Sequence, residues 1–170
     1  MRKIILVLVA IIFSGIIIAQ EKGQPTKIKG KDIYALLVNK TEFNNVGTVK
    51  LTEEQINSTA SVEERMELFI KNADADYDVI MTRNGLSAIL MKYKDGVEIV
   101  PGNVIKIQGK DVYLLSSPLK KYDVLESKKL SNEEVVKPFN KIVEESIKSM
   151  DKDFDAVLIK NNTVDYIVYQ

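Results

Sequence analysis

Two runs of alternating aspartates are the residues of this chain best suited to chemistry: Asp74, Asp76 and Asp78, then Asp151, Asp153 and Asp155. Carboxylate oxygens are hard ligands that suit Ca2+. Each run follows a stretch of helical periodicity, where acidic charge meets the negative end of the helix dipole. A bound cation would relieve that repulsion. The spacing departs from an EF-hand loop, which wants glycine sixth and glutamate twelfth. Those positions hold Val79 and Gly85 after Asp74, and Ala156 and Asn162 after Asp151. The competing reading is a helix-to-strand turn with Tyr77 or Phe154 pointing inward and the acids in water. Lys71 and Lys148 already place positive charge near those helix ends.

Other polar groups invite weaker readings. Lys31 with Asp32, and Lys110 with Asp111, form a second repeated pair. They would contact a ligand, or simply shape a turn beside Gly30 and Gly109. The glutamates at 63, 64, 67, 144 and 145 could supply the paired carboxylates of a hydrolase, but a solvated helix face has the same composition. Tyr34, Tyr93, Tyr113 and Tyr169 could line a peptide or glycan site, although tyrosines on strands commonly serve as half-buried packing. The chain has no His and no Cys. Imidazole bases, thiol nucleophiles and zinc or copper sites of the usual kind are thereby excluded. Glycines occur singly, so no phosphate-cradling loop is present.

These groups repeat because the chain does. The octet KIKGKDIY at 27–34 returns as KIQGKDVY at 106–113, an offset of 79. Past residue 60 the offset becomes 77, so that Asp74 to Asp78 align with Asp151 to Asp155 and Asn84 with Asn161. A small shift between elements is what a loop deletion leaves. We read one unit twice, over 27–100 and 101–170, after a short polar lead at 20–26.

The first 19 residues have a different character. Arg2 and Lys3 precede an apolar run from Ile4 to Ala19, interrupted only by Ser14 and Gly15. Charge, length and flanks match a secretory signal peptide. An uncleaved anchor is the rival, but the run falls short of the ~20 residues of a typical span. Without a cysteine after it, lipid modification is excluded. Cleavage leaves 22 basic and 24 acidic residues, with Arg65 and Arg83 the only arginines. That balance offers no clustered positive charge for nucleic acid. An exported chain without disulfides must rely on a packed core, and about 150 residues suffice to bury one.

The elements that must position the polar groups follow from periodicity. Residues 33–38 are continuously apolar, which fits a strand buried on both faces. Residues 46–51 and 124–130 form a second strand in each unit. Ser61 and Glu64 spell a capping box, and Val62, Met66, Phe69, Ile70 and Ala73 share one helical face. Pro138 opens the second helix, whose stripe is Phe139, Ile142, Val143, Ile147 and Met150. Thr52 to Gln55, and Ser131 to Glu134, would cap short turns before these helices. Asn84 and Gly85 join two closing strands with both residues at positive φ. Asp95 and Gly96 then turn into a further strand over 97–100.

The pattern of Val46 to Lys50, a helix, then Asp76 to Ile80 and a hairpin resembles small bacterial exported modules of unknown function. This broad class includes domains labelled as heavy-metal-binding. The resemblance implies the fold and an envelope setting, and it transfers no site residue. The second unit departs from it at Glu126, where the pattern has glycine, and the chain lacks soft metal ligands.

The sequence thus predicts an α+β protein of two tandem β-β-α-β-β repeats. Each would be a mainly antiparallel sheet with one helix on one face, and the two would pack together. The expected function is a non-catalytic, periplasmic or secreted module that binds or scaffolds an envelope protein, peptide or glycan. No cofactor is implied beyond Ca2+, no nucleic acid, and no membrane span once the leader is removed. The alternatives are a calcium-stabilised binder using the six aspartates and, more remotely, a carboxylate-based hydrolase.

Overall fold

The structure, a computed structural model, describes residues 20–38, 43–97 and 99–170; the leader expected over 1–19 lies outside them. The repeated octets fold as hairpin tips. Strand β1 (Lys22–Ile28) turns into β2 (Lys31–Ala35) through Lys29 and Gly30, at φ 46° and 80°. Strand β7 (Gly102–Ile107) turns into β8 (Lys110–Leu114) through Gln108 and Gly109, at φ 50° and 82°. Two consecutive left-handed residues make the tight turn whose twist suits paired strands, and glycine takes the second place without steric cost.

Each half then builds outward in the same pairing order. Strand β2 lies parallel to β5 (Val79–Thr82), which pairs antiparallel with β6 (Ser87–Tyr93), and β6 with β4 (Phe43–Lys50). In the second half β8 lies parallel to β11 (Ala156–Lys160), then come β12 (Thr163–Tyr169) and β10 (Tyr122–Lys129). The other pairings among the described residues are antiparallel. The parallel pairs arise because the helices carry the chain across one face before β5 and β11, as parallel neighbours require.

The halves join at the middle. Strand β2 touches β8 through Ala35 and Leu114. Leu36 and Leu115, at φ 56° and 51°, then bend the chain into β3 (Leu37–Val38) and β9 (Ser116–Pro118). There β1 pairs with both β7 and β9, and β3 pairs with β7, so each half contributes strands to the other. The stretch expected as a polar lead is therefore mostly β1, at the centre of one large mixed sheet. Its polar composition is compatible because backbone pairing, not apolar side chains, holds it there. Residues 97, 99 and 100 form no strand.

Among the described residues, two helices per half, not one, cover the sheet. They are α1 (Glu53–Asn57) and α2 (Val62–Asn72), then α3 (Asn132–Val135) and α4 (Phe139–Lys148). Thr52 with Gln55, and Ser131 with Glu134, make reciprocal capping boxes that turn the expected turns into helices. Ser61 accepts from Glu64 N at 3.1 Å, but the Glu64 carboxylate reaches back to Ala60 N, at 2.7 Å. The helix-side core takes Ile33, Ala35, Met66, Phe69, Val112, Ile142 and Val143 from both halves. The opposite face buries Tyr34, Leu37, Val104, Tyr113 and Leu158.

Each long helix is anchored on the other half's hairpin. Val62 N donates to Asn161 O, and Phe139 N donates to Asn84 O, both at 3.0 Å. Arg65, on α2 and fully buried, donates to Lys137 O at 2.9 Å and to Val135 O, and lies 5.0 Å from the centre of the Phe139 ring. A guanidinium fork satisfies carbonyls at the end of α3, and positive charge suits that end of a helix.

Candidate functional site

The polar groups drawn inward most consistently are Asp32 and Asp111, each 3% exposed at the base of its hairpin. The type of turn decides their place. With the turn residues at 29–30 and 108–109, Lys27 faces Asp32 and Lys106 faces Asp111 directly across the strands. Lys106 Nζ approaches Asp111 Oδ1 to 2.8 Å, whereas Lys27 Nζ stands 3.6 Å from Asp32 Oδ1. Opposite charges in such cross-strand positions support the pairing.

Tyrosines from the closing strands complete both clusters. Tyr169 donates to Asp111 Oδ2 at 2.8 Å, and Tyr93 donates to Asp32 Oδ2 at 2.7 Å. Because the Tyr169 proton is committed to the carboxylate, Tyr113 is the donor in the 2.9 Å contact between the two phenols. Tyr34 lies against Tyr93 and donates to the Val100 carbonyl. Burial, more than any other cause, raises the pKa of all four phenols; Tyr113 is pushed to about 12. The phenols are therefore protonated donors at neutral pH, and none is poised as a base.

The aspartate runs are divided among several tasks. Asp74 and Asp151 are exposed. Asp76 pairs with Lys92, and Asp153 with Lys110 at 2.9 Å, which lowers the pKa of both carboxyls. Asp78 Oδ2 accepts from Tyr93 N at 3.1 Å, and Asp155 Oδ2 from Tyr169 N at 2.8 Å. Tyr77 and Phe154 are buried between them. Among the described residues, no three acidic side chains come close enough to hold a metal ion. Lys31 and Lys110 turn onto their own halves. Each ammonium bonds a carbonyl, of Tyr77 or Phe154, and lies 4.5 or 4.6 Å from the centre of that residue's ring.

The helix-face glutamates are likewise engaged. Glu67 pairs with Lys29 at 2.7 Å, Glu144 with Lys141 at 2.9 Å and Glu145 with Lys137 at 2.6 Å. Glu63 is the exception: its Oε2 is buried without a hydrogen-bond partner, and burial raises its pKa. The partnership of Asp32 with Tyr93 escapes a reading from the octets alone. An alignment offset of 77 pairs Tyr93 with Gln170, but Tyr169 is its counterpart, because the second closing hairpin is one residue shorter. Val79 faces Met91, a separation of 12 residues, and Ala156 faces Ile167, a separation of 11.

The surroundings of the two clusters differ. Around Asp32 the surface opens into a depression of about 440 Å3 lined by Lys27, Gly30, Asp32, Asp78, Tyr93, Val97 and Ile99. Over the second cluster, Lys120 lies 4.6 Å from the centre of the Tyr169 ring and pairs with Glu21 at 2.5 Å. No family model, no curated protein and no solved structure matches this chain.

Proposed function

We propose that the chain is a non-catalytic module, exported to the cell envelope, that binds or scaffolds another envelope component. In this reading its halves are tandem copies of one β-β-α-β-β unit, related to the small exported modules that the sequence resembles. The observation that carries it is the inward commitment of each buried aspartate. A carboxylate held by a tyrosine, with a lysine across the strands, organises a hairpin and a closing strand, and the phenols above it hold their protons. Such clusters shape a surface without supplying an acid and base that face one another. The matching order of pairings in the two halves supports duplication, and the apolar N-terminal run supports export.

Residues 20–170, immobilised and exposed to a solubilised envelope fraction, should retain a component that free protein competes away. Retention no greater than on a resin carrying an unrelated protein would end the binding reading. Hydrolysis of a model glycoside or ester that disappears in Glu64→Gln would favour the hydrolase instead. The protein recovered from its native compartment should begin near Gln20 by mass spectrometry, and one beginning at Met1 would contradict leader removal.

A further inference from the structure

We infer that the depression at Asp32 binds a primary alkylammonium group, such as a lysine side chain or a free amine. The inference deepens the binding reading above and rests on it for the existence of a ligand. Its basis is a difference between two otherwise matched clusters. In the second half, Lys106 closes on Asp111 Oδ1 at 2.8 Å. Neither Oδ1 accepts a well-directed hydrogen bond, but in the first half Lys27 stands off at 3.6 Å, so Asp32 Oδ1, on a side chain only 4% exposed, also lacks an ammonium at contact distance. A buried carboxylate oxygen without a donor is a costly arrangement that a donor would relieve.

The depression is shaped for such a donor. Asp32 and Asp78 contribute two negative charges against the one positive charge of Lys27. An ammonium presents three donors, enough for Asp32, Asp78 and a neighbouring polar group. Val97, Ile99 and the Tyr93 ring would accompany the alkyl stem. A volume of about 440 Å3 falls within the usual range for a small-ligand site. Tyr34, by donating to Val100, ties down the segment that brings Val97 and Ile99 to the rim.

Lys27 is then an internal competitor for Asp32. Its side chain is 54% exposed, so it can swing into solvent when another ammonium arrives. Removing its charge while keeping its stem should strengthen binding, an effect that a merely structural ion pair would not produce.

The test is amide chemical-shift titration of residues 20–170 with butylamine and, separately, with Nα-acetyl-lysine N-methylamide. The neutral analogue butanol and calcium chloride serve as comparisons. The inference predicts saturable shifts around Gly30 and Tyr93 with an amine, at millimolar affinity or better, about tenfold weaker in Asp32→Asn and several-fold tighter in Lys27→Met. Lys106→Met should leave binding unchanged. Preference for the blocked lysine indicates a peptide source, and preference for butylamine a free amine; either supports the inference. Absence of saturable shifts with both amines would overturn it. So would equal binding by Asp32→Asn, Lys27→Met binding no tighter than the parent, or butanol or calcium reproducing the same shifts. Should Asp32→Asn not fold, Lys27→Met decides alone. Failure of the titration with envelope capture intact rejects this site and leaves the broader binding reading standing.

Discussion

At the scale of single residues, the buried aspartates and their tyrosines are the groups whose loss should be felt most. Tyr169 donates to Asp111 at 2.8 Å and accepts from Tyr113 at 2.9 Å. Tyr169→Phe removes both bonds and leaves a buried carboxylate supported by Lys106 alone, so urea unfolding should show a loss of about 2 kcal/mol. Stability should also fall at alkaline pH. Folding raises the Tyr113 pKa from 10.0 to about 12 by burial, and raises those of Tyr34, Tyr93 and Tyr169 in the same direction. The unfolded phenols lose protons first, so the stabilisation is intact below pH 10 and drains away as pH climbs toward 12 and beyond. Phenolate absorbance should therefore rise together with loss of structure, and free titration of these phenols in a protein that stays folded would contradict the burial argument. The sequence displayed Asp32 and Asp111 through the repeated octets, yet hid their partners. Tyr93 and Tyr169 lie some 60 residues away, and the shorter second hairpin removes the alignment that would have matched them. Arg65 was hidden for another reason. It falls on the apolar helical stripe, where a charge reads as an interruption, and its carbonyl partners belong to the other half. The usable signal was its type, because a chain that otherwise uses lysine keeps arginine where a planar fork is needed.

At the scale of elements, the turns were the most readable features and the hairpin at Asn84 the most instructive miss. Asn84 and Gly85 were expected to share positive φ, but only Gly85 adopts it, at 70°. The Asn84 side chain instead accepts from Leu86 N at 2.9 Å and Ser87 N at 3.2 Å, while Thr82 Oγ1 accepts from Gly85 N at 3.0 Å. Glycine is needed there for a tertiary reason as well, since a Cβ would come within 2.6 Å of the Phe139 ring. At Gly96, φ is 79° and a Cβ would meet nothing within 4 Å. Gly85→Ala should therefore cost about 2–4 kcal/mol, combining backbone strain with overpacking, whereas Gly96→Ala should cost only about 1 kcal/mol. Thermal melts of the two variants check the difference, and equal losses would show that Phe139 can move aside. The helices were legible from their caps and stripes, but their number was not, because a capping box in sequence does not reveal whether the chain continues beyond one turn. The centre of the sheet was not legible either. Backbone pairing recruits the polar stretch Lys22 to Ile28, and pairing of that kind leaves no apolar period to read.

At the scale of the whole molecule, the two halves exchange contacts wherever a self-contained unit would close on itself. Strand β1 reaches β7 and β9, β3 reaches β7, and each long helix starts on the opposite hairpin. Arg65 spans the same boundary, where Lys cannot reproduce the fork. The helix-side core is likewise assembled from both halves. Unfolding one half would remove hydrogen-bond partners and apolar cover from the other, so the interlock predicts cooperation across the entire described chain. This arrangement also gives the binding reading its frame, because a rigid common sheet holds the open cluster and the covered one in fixed relation. The decisive measurement is differential scanning calorimetry of residues 20–170. The account predicts one transition whose calorimetric enthalpy equals its van't Hoff enthalpy; two separable transitions, each assignable to one half, would contradict it.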